Sequence, residues 1–244
     1  MVRIVLDAGH GGQDSGAVGN GLKEKDLTLA IVKHIGRLLG DYESVEVHYT
    51  RTDDRFLELS ERAAIANKLK ADYFISVHIN AGGGTGFESY IFNNTKDAKT
   101  IAYQNVIHAE IMKAIGNVTD RGKKRANYAV LRETHMPAIL TENLFIDNAS
   151  DATKLKSEQF LLQVAYGHVV GLEKAFGLKK KGGKATVQKV SVKDDVAGHW
   201  AEQSIRKAMK AGIIKGHSDG RFGPDEPVTR AQLAVILDRL GLLK

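Results

Sequence analysis

A chain of 244 residues is long enough to bury a sizeable core and to hold more than one domain, and its 43% hydrophobic and 26% charged residues exclude disorder as the default state. No run approaches the roughly twenty apolar residues of a membrane span, and the absence of cysteine removes disulfides and thiol catalysis, so a metal site must use His, Asp or Glu. A formal net charge of +6 favours a polyanionic partner without choosing among nucleic acid, anionic lipid and wall polymer.

Val2-Arg3-Ile4-Val5-Leu6 reads as a short buried strand, and the Gly-rich turn Asp7-Ala8-Gly9-His10-Gly11-Gly12 presents one histidine at its carboxyl end. Open α/β sheets gather their chemistry at that edge. A helix begins near Glu24, with Leu27, Ile31, Ile35 and Leu38 at helical spacing and a stop at Gly40. Val45 to Thr50 alternates as a strand with one wet face, Arg51 to Arg55 forms a charged loop, and a helix from about Leu59 to Leu69 follows. Tyr73 to His78 is a second strand ending in a histidine. Gly86 to Phe92 is another strand, and residues 97 to 115 form a long helix closed by Gly116. The basic stretch Arg121 to Arg125 is expected as a loop with a solvated face, anionic glycan being its alternative contact; Ala129-Val130-Leu131 is expected as a short strand. Pro137 introduces a strand ending at Glu142, and the last helix of this part runs from about Glu158 to Phe176.

Strands alternating with helices predict an α/β fold with a mostly parallel central sheet flanked by helices over residues 1–177. Residues 178–189 are Lys- and Gly-rich and are expected as a flexible linker. Residues 190–244 form a small all-α helix-loop-helix module, with helices at about 200–211 and 229–240, the second N-capped by Thr229.

Three element ends deliver His10, Glu24 and His78 to one sheet edge, a two-histidine, one-carboxylate set that suits zinc with a fourth position for water. Glu142, at the end of a further strand, is the candidate general base. Arg51 and Arg62 are candidates for a substrate carboxylate or for a salt bridge holding loop to helix. Asn80 is a candidate to orient a ligand, and Glu88 is read as an outward-facing glutamate with substrate contact as its other assignment. His34, His48, His108, His135, His168 and His217 lack a partner pattern and are read as surface or helix-face residues.

Asp7 to Gly12 with Asp14 and Gly16, Glu24, Thr50-Arg51, Leu59 to Arg62 with Ala66-Asn67, Ser76 to Ala81, and Pro137 to Glu142 together resemble the zinc-dependent N-acetylmuramoyl-L-alanine amidases of the amidase-3 type, over about residues 2 to 176. The resemblance implies one zinc ion held by His10, Glu24 and His78, a catalytic Glu142, and cleavage of the amide between N-acetylmuramic acid and L-alanine in peptidoglycan. A zinc peptidase cutting within the stem peptide and a non-catalytic wall-binding protein are the rival readings. The family usually has a Gly-Phe pair after the glutamate, where Asn143-Leu144-Phe145 stands here. Asp194 to Ala201, Ala211 to Gly216, Asp219 to Phe222 with Pro224, and Val228 to Gln232 resemble an S-layer homology domain. That likeness implies an anionic secondary cell-wall polymer as partner, rather than nucleic acid, with Arg230, Trp200, Gly212 and Gly216 as candidate contacts. With no n-region, h-region or cleavage site ahead of the first strand, an endolysin or autolysin released through a membrane pore or by lysis is the expectation.

Overall fold

The computed structural model describes residues 1–182, 195–214 and 222–242, and the chain divides into two compact units, Met1–Lys184 and Ala185–Lys244. The first unit runs β1 (Val2–Ala8), a two-strand ribbon of β2 (Val18–Gly19) and β3 (Leu22–Lys23), α1 (Glu24–Leu39), β4 (Val45–Tyr49), α2 (Leu59–Lys68), β5 (Tyr73–Asn80), β6 (Phe87–Phe92), α3 (Ala98–Ile115), β7 (Asp120–Ala126), α4 (Ala129–Arg132), β8 (Ala138–Phe145), α5 (Ala149–Leu155) and α6 (Glu158–Phe176). Its six-stranded sheet has the order β4-β1-β5-β8-β6-β7. All neighbours are parallel except β6 and β8, which are antiparallel. The expected mostly parallel α/β architecture is the one found.

Register divides the strands into two faces, because alternate side chains point to opposite sides. One face, carrying Ile4, Leu6, Ile75, Val77, Ile139 and Phe87, is covered by the apolar stripes of α1, α3 and α6. Gly167 and Gly171 let α6 lie close on α3, since a Cβ at either position would stand 2.5 or 2.7 Å from the Cα of Ile111 or Ile107. The other face begins apolar with Val5, Phe74, Ala138 and Leu140 under Val130 and Leu131 of α4. It turns polar towards the edge where β1, β5 and β8 end, with Asp7, His78 and Glu142.

Four local expectations change. Arg121 to Arg125 is not a loop but most of β7, which among the described residues pairs only with β6 and so forms a sheet edge where charge is tolerated and discourages further pairing. Ala129 to Leu131 is helical rather than extended, because Val130 and Leu131 must both turn onto the same small core, which a strand's alternation forbids. Glu142 is not terminal in its strand, which continues to Phe145 past a register shift opposite His78 and Asn80. At the linker's start, Glu43 donates to the Lys179 carbonyl and Lys181 to that of Asp41, so residues 178–182 belong to the first unit; the rest of the linker lies outside the described residues.

Two of the partnerless histidines are core residues, His108 at 4% and His168 at 0% exposure, and His217 lies outside the described residues. On α6, His168 Nδ1 donates to the Val164 carbonyl at 2.8 Å, and its Nε2 lies 3.1 Å from Thr141 Oγ1, the residue before Glu142. Burial pushes the His168 imidazole down to about 4 from 6.5. The unfolded chain therefore takes up this proton below pH 6.5 while the folded chain does not until about pH 4. Stability is complete above pH 6.5 and falls by about 3 kcal/mol on this account between pH 6.5 and 4. Thermal melts over that window should show a shallower loss for His168→Gln than for wild type; parallel curves would contradict this.

In the second unit, α7 (Glu202–Lys210) and α8 (Arg230–Arg239) are the described helices, the latter opened by a Thr229–Gln232 capping box as its sequence predicts. Asp195 accepts from the backbone N–H groups of Phe222 and Gly223, and Arg239 reaches the Ile213 carbonyl. Val196 and Ile205 are its buried apolar side chains among the described residues.

Candidate metal centre

The centre starts from a carboxylate buried in an apolar strand. Asp7, 0% exposed, accepts from Thr50 Oγ1 at 2.7 Å, Ser76 Oγ at 2.7 Å and Arg62 Nη1 at 2.9 Å. Beyond it the chain leaves the sheet, and its carbonyl groups lose their ladder partners. Arg62 donates to the carbonyls of Ala8 and His10, and Arg51 to those of Ala8, Gly9 and Lys25. Both arginines are 2% exposed. Their guanidinium groups are therefore committed inward, and the assignment of Arg51 and Arg62 to a substrate carboxylate gives way to a scaffolding role.

This scaffold holds His10 with φ 62°, a conformation uncommon for a side-chain-bearing residue. Asp14 Oδ2 lies 2.7 Å from His10 Nδ1, which turns Nε2 towards Glu24 Oε1 at 3.2 Å. Glu24, the first residue of α1, is itself fixed by the N–H groups of Ala17 and Ile79, each 2.9 Å away. The same oxygen, Oε1, stands 3.0 Å from His78 Nδ1. Gly9 gives the second imidazole its room, because a Cβ there would fall 2.4 Å from His78 Cε1. Gly16, at φ 62°, does the same on the other side, where a Cβ would meet Glu24 Oε2 and His10 Cδ2 at 2.6 Å.

One donor atom each from His10, Glu24 and His78 thus lies within 4.8 Å of the others. Two imidazole nitrogens and a carboxylate oxygen suit zinc, and the Asp14 contact is the kind that orients a ligating histidine. The cluster favours positive charge. Burial lowers the His10 pKa, but Glu24 and Asp14 outweigh it and raise it to about 9. Burial raises that of Glu24, and the two imidazoles outweigh it, holding the carboxylate well below its usual range.

Glu142 sits opposite His78 in the parallel register. It is half-buried, and its Oε2 is buried with no hydrogen-bond partner among the described residues. Burial pushes its pKa up to about 7, with Glu24 and Glu88 adding to the rise and His78 opposing it. The strand behind it is held by Asn143, which donates to the His78 carbonyl at 2.9 Å. Leu144, in the position of the Gly-Phe pair's glycine, has φ 72°, the left-handed region glycine favours. A cleft of about 310 Å³ opens beside the histidines, walled by Phe56, Leu57, Leu59 and Val130.

The remaining candidates fall elsewhere. Asn80 donates to Glu88 Oε1 at 2.7 Å rather than orienting a histidine. Glu88 is not outward-facing but 2% exposed, opposite Glu142 in the antiparallel register. In the second unit, Trp200 is 91% exposed, not core, and Arg230 is exposed at the start of α8. Gly212 follows α7 with φ 70°; Gly216 lies outside the described residues. The roles of Asp14 and Asn143 escaped sequence reasoning, although a lone Asp7 inside an apolar strand already signals a buried polar hub.

Residues 4–174 match the family model described as N-acetylmuramoyl-L-alanine amidase, and residues 194–234 match that of the S-layer homology domain. Over 181 residues the chain is 52% identical to the sporulation-specific N-acetylmuramoyl-L-alanine amidase of Bacillus subtilis, covering 74% of this chain and 70% of that one. It is 50% identical over 194 residues to the endolysin of Bacillus phage SPP1, covering 78% and 72%. Among solved structures, the catalytic domain of CwlV, an N-acetylmuramoyl-L-alanine amidase from Bacillus (Paenibacillus) polymyxa var. colistinus, superposes with a TM-score of 0.69 at 38% identity, covering 73% of this chain and all of that one. An N-acetylmuramoyl-L-alanine amidase from Clostridium difficile 630 gives 0.69 at 34% identity, covering 72% and 97%. The chain therefore belongs to the N-acetylmuramoyl-L-alanine amidase family, with an S-layer homology domain following the catalytic unit.

Proposed function

We propose that the chain is a zinc-dependent amidase that hydrolyses the bond between the lactyl group of N-acetylmuramic acid and the L-alanine of the stem peptide, acting at the bacterial cell wall. The observation that carries this reading is the His10–Glu24–His78 cluster beside a glutamate whose buried Oε2 has no hydrogen-bond partner among the described residues. His10, Glu24 and His78 would hold the ion, which when bound supplies Lewis acidity, polarising the scissile carbonyl and acidifying the attacking water. Glu142 Oε2 takes the proton from that water and returns it to the departing L-alanine nitrogen. A carboxyl group poised near neutrality is suited to both halves of the transfer. Asp14 keeps the His10 ring turned so that Nε2 faces the site. The apolar cleft walls exclude bulk water from the reacting amide.

The second unit is proposed to tether the enzyme to an anionic secondary wall polymer. Exposed Arg230 offers a bidentate donor to carboxylate or phosphate, with the exposed Trp200 ring, Gly212 and Gly216 as further contacts. Tethering raises the local concentration of scissile bonds without altering the chemistry.

Mass spectrometry of products from purified peptidoglycan should find stem peptides beginning at L-alanine, lost with a chelator and regained with zinc. Shortened peptides still joined to muramic acid would instead mean a peptidase, and no release under any condition a binding protein. Glu142→Gln should keep stoichiometric zinc while losing about 10²–10⁴-fold in turnover, whereas His78→Ala should lose the metal itself; elemental analysis beside activity separates the two. Removing residues 185–244 should leave hydrolysis of soluble fragments and abolish co-sedimentation with wall sacculi, and undiminished sedimentation would refute the tether.

A further inference from the structure

The substrate carries its negative charge on the peptide arm, because the hexosamine backbone offers only hydroxyl and acetamide groups. Arg51 and Arg62, the buried cations beneath the site, are spent on Asp7 and on backbone carbonyls. Two further cations, Arg121 and Lys124, stand past Glu142 along the same face of the sheet.

Glu88 is the key to them. Its buried carboxylate collects four donors: Asn80 Nδ2 at 2.7 Å, the Tyr90 hydroxyl at 2.8 Å, Arg121 Nε at 2.7 Å, and Lys124 Nζ. Burial raises its pKa, but the Lys124 and Arg121 hydrogen bonds outweigh this and keep it ionised. One anion thus holds two cations, leaving a net positive charge at the edge of the site. Arg121 gives the protein only Nε; among the described residues its two terminal nitrogens have no protein acceptor. Its guanidinium lies 4.8 Å from the centre of the Phe145 ring, which fixes the plane of the fork. The side chains of Arg121 and Lys124 are 33% and 36% exposed, against 2% for the whole of Arg51 and of Arg62.

Distance fits a specific part of the substrate. Adjacent strands are about 4.8 Å apart, so Glu88 lies about one strand spacing from Glu142 and β7 about two. An extended chain advances about 3.3–3.6 Å per residue. The groups gathered on Glu88 are therefore within reach of the residue that follows L-alanine.

We propose that Arg121 and Lys124, held by Glu88 as a positioning residue, bind the α-carboxylate of the residue after L-alanine in the stem peptide and so discriminate free-acid from amidated stem peptides. The proposal rests on the amidase reading. Buried on four donors, Glu88 itself contacts no substrate.

The test uses zinc-loaded full-length protein and two soluble substrates, N-acetylmuramoyl-L-alanyl-D-isoglutamate and its α-amide, which differ by one charge. Wild type should favour the acid roughly tenfold in kcat/KM, mostly through KM, as expected for a charge-assisted hydrogen bond, with the preference shrinking in high salt. Arg121→Gln and Lys124→Gln, each leaving one cation on Glu88, should bring the ratio towards one, and Arg121→Lys should keep most of it. Equal wild-type rates on acid and amide, or a ratio unmoved in both glutamine variants, would overturn the assignment and leave the amidase reading standing. Failure of wild type to release peptide from either substrate would overturn both.

Discussion

The site depends on a single ionic arrangement beneath it, the Asp7 carboxylate and the two guanidinium groups around it. β1 must end abruptly to bring His10 over Glu24, and an abrupt end strips three successive carbonyls of their sheet partners. Left unpaired in a buried place, each would cost about 1–3 kcal/mol. Arginine is the side chain that can satisfy several carbonyls at once, since its five N–H groups are fixed in one plane. Two buried arginines then need an anion, and Asp7 supplies it at 2.9 Å from Arg62. The buried ions are thus tied to a backbone shape. Pairing explains why they are tolerated, and the loop they hold explains what they are for.

Across the sheet the same logic recurs as a row. Gly9, just past the end of β1, and His78, Glu142 and Glu88 from the next three strands share one face. The first has no side chain so that the second can lie over it. The third keeps an oxygen free of protein donors, and the fourth is saturated with them. Two carboxylates on facing positions repel, and the outcome follows from their surroundings. Glu88 has cations and stays charged, whereas Glu142 has burial and negative neighbours and is raised towards neutrality. The cation pair on β7 therefore supports the charge on Glu88, and that charge helps set the proton affinity of Glu142.

Much of this is legible in the sequence. The His10–Glu24–His78 set and Glu142 are readable because each stands at or near the end of a strongly patterned element, where position in sequence translates directly into position at the sheet edge. Glu88 and the Arg121 to Arg125 stretch depart from their sequence pattern for a common reason. Period-2 patterning identifies a strand only when one face is apolar, and β7, an edge strand paired among the described residues solely with β6, has charged residues over most of its length. Without a β7 strand nothing in the sequence pattern buries Glu88, and an outward side chain is what that pattern implies. Arg51 and Arg62 fail differently: sequence shows charge near the site but not that neighbouring carbonyls have lost their partners.

Topology explains why one edge can host both the His10–Glu24–His78 cluster and the cations. In a purely parallel sheet only strand carboxyl ends would reach it. Here β6 turns back after the short connection from Asn80 to Phe87, so its first residues, not its last, lie beside Glu142. β7 runs parallel to β6 and begins at the same edge, which places Arg121 and Lys124 there too. The edge thus combines the ends of β1, β5 and β8, rich in glycine and histidine, with the beginnings of β6 and β7, rich in charge. A substrate whose reactive amide joins a neutral sugar to an acidic peptide meets a surface divided in the same sense, and that division follows from the direction of one strand.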